Sequence, residues 1–377
     1  MRIQSAIGLL ALTASPALAA GIERSPQSMT ILFQEGNYLE LGASYVRPRV
    51  SGTLATMPGT PLQGQSTGNV TRSYFSGSLG FKGDINDQMS YAVILDQPFG
   101  ADTLYPSDSP LAGSFGKVEN TTLTAVFRYQ FDQGFSAHAG IRSSWTKGTA
   151  DITLATPIPG APPVLDYSLR TQTDQAWGYL LGVAYEMPEI ALRVALTYNS
   201  SIRHSFTATE TGVPPEAENA FSTRLPQSVT LEFQTGIAED TLLFGSIRWV
   251  NWKQFDITPP DYAASENPLA GGAPRGALVE YQKNSTTYTL GVGRRFNENW
   301  SGSASLAYDT GNGNPTSNLG PLGRRTTLGL GASYTIDDVT ISGGVQFMRI
   351  GSANTTLGSD FRSNSAIGAG LRIGYSF

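Results

Sequence analysis

The sequence has no cysteine and only two histidines in 377 residues. The missing thiols exclude disulfides and thiolate metal sites, and two imidazoles leave little for a histidine-built metal centre. Charged residues make up 15%, against about 25% in ordinary soluble proteins. After the N-terminus no apolar run approaches the ~20 residues of a spanning helix, and the mean hydropathy is −0.15. A formal charge of −5 argues against nucleic acid as a partner, because phosphate binding wants a basic surface. Enzyme chemistry is also unsupported: neither His138 nor His204 stands near a nucleophile motif such as G-x-S-x-G. No cofactor is expected.

What the chain does have is glycine (42), tyrosine (16) and phenylalanine (17). Low charge with many aromatics and glycines fits strands that are apolar on one face and small or polar on the other, as in a membrane-spanning barrel. The last twelve residues show it most clearly. Ile367, Ala369, Leu371, Ile373, Tyr375 and Phe377 alternate with Gly368, Gly370, Arg372, Gly374 and Ser376. Side chains of a strand point to alternate faces, so one face is greasy and ends in aromatics. A terminal strand closing on Phe resembles the assembly signal of outer-membrane barrels, which implies recognition by the barrel assembly machinery.

Residues 1–20 read as a secretory signal, with Arg2 as the positive end, Ile7 to Leu12 as the apolar core and Ala17-Leu-Ala19 as the cleavage pattern. The mature chain then begins at Ala20 or Gly21. Residues 21–36 do not alternate cleanly but carry Ile22, Met29, Ile31, Leu32 and Phe33. Disordered arms seldom hold so many large apolar residues, so a short plug is expected there, with the barrel over 37–377.

From Tyr38 onward about fourteen alternating segments follow, and short connections take turns with long ones. The short ones fall near 83–87, 132–134, 187–189, 238–240, 297–299 and 336–338. The long ones include 50–70, 101–118, 148–174 and 205–226. The expected fold is all-β, a transmembrane antiparallel barrel of an even strand number with short periplasmic turns.

Several stretches then resemble the long-chain fatty-acid transporter family of Gram-negative outer membranes, the FadL-like proteins. They are Asp84-Ile-Asn-Asp-Gln88, Ala195-Leu-Thr-Tyr-Asn-Ser200, Leu225-Pro-Gln227 and Trp249-Val-Asn-Trp252. Asn297-Glu-Asn-Trp-Ser301 with Ala307-Tyr-Asp309, and Leu330-Gly-Ala-Ser-Tyr-Thr335, continue them in the family's order. The resemblance implies a fourteen-stranded outer-membrane barrel, monomeric and set in outer-membrane lipid, that takes up fatty acids or other small hydrophobes. The family's longer hatch with its Asn-Pro-Ala signature is absent.

By the same resemblance Lys147, beyond the fifth strand, and Lys283, leading into the tenth, fall where a carboxylate head group would rest. Ordinary rim lysines would look the same. Met29, Ile31, Leu32 and Phe33 could meet an apolar tail or merely pack against the wall. The apolar, proline-rich stretch from Ile152 to Leu165 suggests an external capture surface. Arg142, Arg248 and Arg372 sit in lumenal phase and are expected to pair with Glu40, Glu232 or other lumenal acids. In Asp96-Gln-Pro-Phe-Gly100, proline lacks a ladder donor and glycine weakens a strand. Pro98, Phe99 and Gly100 therefore mark either the inward kink that opens the family's wall sideways or simply the end of the third strand. A general diffusion porin remains the rival function.

Overall fold

The computed structural model describes residues 21–54, 63–154, 163–267 and 271–377. Residues 1–20, expected to be a signal, and residues 155–162 of the expected external capture stretch lie outside them. Alternation in the sequence becomes a wall of fourteen long strands. They are β1 (Tyr38–Arg49), β2 (Tyr74–Asn86), β3 (Met89–Asp96), β4 (Phe115–Gln130), β5 (Phe135–Leu154), β6 (Asp174–Met187) and β7 (Leu192–Asn199). Then come β8 (Ser228–Ala238), β9 (Thr241–Val250), β10 (Ser285–Arg295), β11 (Trp300–Asp309), β12 (Arg325–Ile336), β13 (Val339–Ile350) and β14 (Asn364–Ser376). Each pairs antiparallel with the next, and β1 pairs with β14 from Tyr38↔Ser376 to Arg49↔Ser365, so the sheet closes. Closure leaves no strand free along its whole edge to template aggregation.

The two faces are the reverse of a soluble protein. Leu41, Ile141, Leu181, Leu290 and Leu371, spread round the ring, are each more than half exposed, whereas Arg128, Arg142, Arg248 and His138 are buried. An apolar belt facing outward on every side is stable only in lipid. The seam is fixed at its lower end by paired backbone bonds, Phe377 N–H to Asn37 O (2.9 Å) and Asn37 N–H to Phe377 O (3.2 Å). The Phe377 ring stacks on Tyr375 and lies 6.4 Å from Phe81.

Several expected boundaries move outward. β4 starts at Phe115 rather than near Leu123, and β5 runs to Leu154 rather than Trp145. Lys147 is thus inside the fifth strand, not beyond it. The expected long loops 148–174 and 205–226 are largely sheet. Leu165–Thr171 pairs with β5, and Ile202–Thr211 forms a hairpin with Glu218–Leu225 that joins it. The reason is a second apolar core above the lumen, built from Ile152, Leu154, Leu165, Tyr167, Leu169 and their neighbours. Over this core the buried Glu210 carboxylate accepts from the Tyr167 hydroxyl (2.9 Å), Asn219 (3.1 Å) and the backbone N–H of Asp261 (3.1 Å) and Tyr262 (2.8 Å). That pins the short helix α1 (Pro260–Ala264) onto the extension. Burial, then the Glu210 charge, raises the Tyr167 hydroxyl above its ordinary range, so it stays a donor.

Candidate functional site

Residues 21–36 lie against the inner wall and reach it through ionic and apolar contacts. Glu23, almost fully buried, takes Arg248 Nε at 3.2 Å and pairs with its terminal nitrogen as well. Arg248 also donates to Thr230 Oγ1 at 2.7 Å. Arg142 donates to Gln27, and Ser28 donates to Glu232 at 2.5 Å. Lower down, Met29, Ile31 and Leu32 are buried among Tyr38, Ala92, Val126 and Leu180. Gly80 makes this possible: a Cβ there would stand 2.5 Å from Ile31 Cδ1. Phe33 lies between two guanidinium groups, Arg128 at 4.6 Å and Arg193 at 4.7 Å from its ring centre. The lumenal arginines therefore find partners, though not all those expected. Arg372 faces Glu40 at 3.7 Å and Arg248 takes another lumenal acid, Glu23, while Arg142 meets the amide of Gln27.

The wall is interrupted at β3. The β2–β3 ladder stops at Leu79↔Leu95, while β2 continues to Tyr74 paired only with β1. β3 pairs with β4 down to Asp96↔Thr122, and pairing resumes at Gly100↔Glu119. Gln97, Pro98 and Phe99 thus face only Asn120 and Thr121, which is a bulge. The bulge turns inward, and Phe99 is buried against Trp252 with ring centres 6.4 Å apart. Its backbone is satisfied by the N-terminal segment instead of β2. Arg24 N–H and Ser25 N–H donate to Pro98 O (2.8 and 3.3 Å), and Gly100 N–H donates to Ile22 O (2.8 Å). Farther out the wall closes again, with Arg72 N–H on Asp102 O (3.1 Å) and Leu104 N–H on Val70 O (2.9 Å). Among the described residues no ladder bond joins β2 to β3 between those points. The unpaired stretch of β2 spans five residues, Tyr74 to Ser78, or about 16 Å at the usual rise of a strand.

Gly100 is extended, without the positive φ that an unusual turn would need. Its lack of a side chain serves a neighbour: a Cβ would stand 2.6 Å from Arg24 Cζ. Arg24 lies 4.1 Å over the Tyr74 ring, at the inner side of the interruption, and its buried Nε has no hydrogen-bond partner among the described residues. A cavity of about 270 Å3 touches Arg24, then Ser76, Gly77 and Ser78 on one edge and Ile94, Asp96 and Gln97 on the other. Above it a smaller cavity of about 60 Å3 is lined chiefly by apolar groups, Ile22, Val118, Phe206, Phe221, Phe255 and Leu319 among them.

Of the two sequence-selected lysines, Lys147 is exposed on the rim opposite Glu119 and is among the residues that line the smaller cavity, whereas Lys283 is exposed before β10 beside Gly313. Sequence reasoning missed Arg24, and also the grouping of Ser144, His204 and Asp174. His204 Nδ1 is 2.8 Å from Asp174 and Nε2 is 3.2 Å from Ser144 Oγ. Ser144 is fully buried and already held by Asn120 at 2.8 Å, which leaves no place for a carbonyl beside it.

A closed wall, greasy outside and polar within, with an inner cavity reaching an interruption between two strands, defines an outer-membrane transport barrel. The chain belongs to the outer membrane protein transport protein family (OMPP1/FadL/TodX), which it matches over residues 10–373. It is similar to the long-chain fatty acid transport protein of Salmonella typhi, 22% identical over 88% of this chain and 81% of that protein. Among solved structures it is similar to a Pseudomonas aeruginosa FadL homologue (TM-score 0.74, 18% identity, 97% of this chain and 98% of that one). The Pseudomonas putida toluene transporter TodX is also similar (TM-score 0.65, 15% identity, 97% and 96%). The family consists of transport proteins of the Gram-negative outer membrane, not enzymes.

Proposed function

We propose that this barrel takes up small hydrophobic molecules from outside and releases them sideways into the bilayer through the interruption between β2 and β3, with residues 21–36 plugging the lumen below. The observation that carries the reading is the cavity that touches both edges of the interruption. Release downward into water would forfeit about 25 cal/mol for each Å2 of apolar surface exposed, and sideways release avoids most of that. The inward-packed N-terminal segment weighs against the diffusion porin, which calls for an open lumen.

Magnitudes also bear on the route. The apolar cavity of about 60 Å3 is well below the ~150 Å3 that accommodates benzene in a protein interior. Ile22, which forms part of its lining, must therefore move with the N-terminal segment as substrate passes. Arg24 favours a substrate that carries one carboxylate, since its side chain is among the groups that line the larger cavity. Lys147 and Lys283, both exposed, fit a first encounter with that carboxylate at the rim.

The test removes the extra residue of the bulge. Deleting Gln97 leaves two residues facing Asn120 and Thr121, and adding Pro98→Thr supplies the missing ladder donor. The variant should still migrate as a folded, heat-modifiable barrel but lose at least tenfold in cellular uptake of oleate. Undiminished uptake with the wall shown to be closed would count against sideways release.

A further inference from the structure

The outer wall carries a feature that transport does not use. Outward positions on β1, β13 and β14 descend from a basic rim into lipid-facing apolar residues. On β1 the outward series ends Tyr45, Arg47, Arg49; on β13 it ends Val345, Phe347, Arg349; and on β14, between them, Ile367 is followed outward by Ser365. Ser365 is the register partner of both Arg49 and Arg349. The two arginines are thus two strand spacings apart, about 10 Å, close enough for both to reach one anion. Arg47 sits one outward step below, opposite Ile367. Arg324 precedes β12 and lies across Gly351, where a Cβ would stand 2.8 Å from its Cγ. That glycine lets the arginine lean toward the end of β13.

All four arginines are exposed, and none has an ion-pair partner among the described residues. The outward positions of β12, β13, β14 and β1 include no Asp or Glu. The adjoining wall is different, with Trp249, Tyr288 and Tyr308 near the outer ends of β9, β10 and β11. Four like charges beside a low-dielectric layer repel unless an anion sits among them. Every member of the group is arginine, whose planar fork grips phosphate with two bonds where lysine offers a point charge. Directly below lie Tyr45, Leu328, Phe347 and Ile367, all turned to the bilayer. Phosphate-binding groups above and acyl-binding surface beneath match one kind of ligand.

We propose that Arg47, Arg49, Arg324 and Arg349 form a binding site on the outer wall for the phosphorylated head of an outer-leaflet glycolipid, whose acyl chains run down β12, β13, β14 and β1. The site lies on the outer face, one strand from the interruption, since Tyr45 is the register partner of Phe75 on β2.

The experiment uses the purified full chain and native mass spectrometry with diphosphoryl lipid A, and in parallel with the same lipid enzymatically dephosphorylated. The wild type should retain the diphosphoryl form at least tenfold better than the dephosphorylated form. Arg49→Ala with Arg349→Ala should erase most of that preference, and Arg49→Lys with Arg349→Lys should restore only part of it. Raised ionic strength should weaken the contrast. Equal retention of the two lipids by the wild type, which needs no variant, would overturn the proposal. So would a folded double-alanine barrel that keeps the full preference. Complete displacement of lipid A by inorganic phosphate alone would instead make this a site for a free anion, and the glycolipid claim would fall.

Discussion

Replacing Glu23 by alanine isolates what holds the N-terminal segment in the lumen. Glu23 and Arg248 have side chains 0% and 3% exposed, so water screens their attraction little. Removing one partner of a buried pair typically costs about 3–5 kcal/mol, because the other charge is left unpaired. Arg248 would keep only Thr230. The cost falls on docking of residues 21–36 rather than on the wall, whose ladder does not involve Glu23 apart from its bridge to Phe99. At about 1.4 kcal/mol per tenfold, the docked fraction relative to the undocked should drop by roughly two to three and a half orders of magnitude. Planar-bilayer recordings are the assay, with the expectation that Glu23→Ala produces frequent openings to small ions that the wild type lacks. Adding Arg248→Met should return the channel to quiet, since an apolar pair needs no compensation. A Glu23→Ala barrel as quiet as the wild type would refute the claim that this pair holds the segment.

Three further outcomes follow from the same geometry. Arg24→Leu should weaken binding of a fatty acid at least tenfold, with one charge-assisted bond worth about 1.5–3 kcal/mol, and leave a neutral hydrophobe of equal length nearly unchanged; equal losses for both, by tryptophan-quenching titration, would remove Arg24 from head-group recognition. Glu210→Ala should leave the barrel heat-modifiable yet expose the chain near α1 to limited proteolysis, because four hydrogen bonds end on that carboxylate. Deleting Phe377 removes both backbone bonds to Asn37 at the seam, and the folded fraction in the outer membrane should fall sharply by heat-modifiability on gels.

The spanning part of the barrel was legible because the bilayer imposes one rule on every strand. Leu39, Leu41, Ala43 and Tyr45 face lipid, and so do Leu371, Ile373 and Tyr375 opposite them. Outside the bilayer the rule reverses, and there the reading stopped short. On β5, Ile141 points outward while Ala150, Ile152 and Leu154 point inward to the upper core. The apolar phase changes sides within one continuous strand. A period count takes that reversal for a strand end, so β5 and its hairpin partners read as loop. At the interruption itself the legible signal was Pro98, whose missing donor is local. Arg24 and Glu23 act through partners far along the chain: Arg248 is 225 residues from Glu23. No spacing in the sequence encodes such a contact. Gly100 reads in the sequence as a residue that weakens a strand, but in the structure it leaves the room that Arg24 occupies.

The central claim is the path of the substrate. The direct measurement is site-resolved photolabelling by a diazirine-bearing fatty acid during uptake into cells, read by peptide mass spectrometry. Sideways release predicts label on Ser76, Gly77 and Ser78 and on Ile94 and Gln97, the two edges of the interruption. It predicts little label on Gln130, Gln133 or Glu186, which line the cavity of about 1200 Å3 at the short-turn end. Strong labelling of those residues with none at the edges of β2 and β3 would contradict it and route the substrate through the lumen.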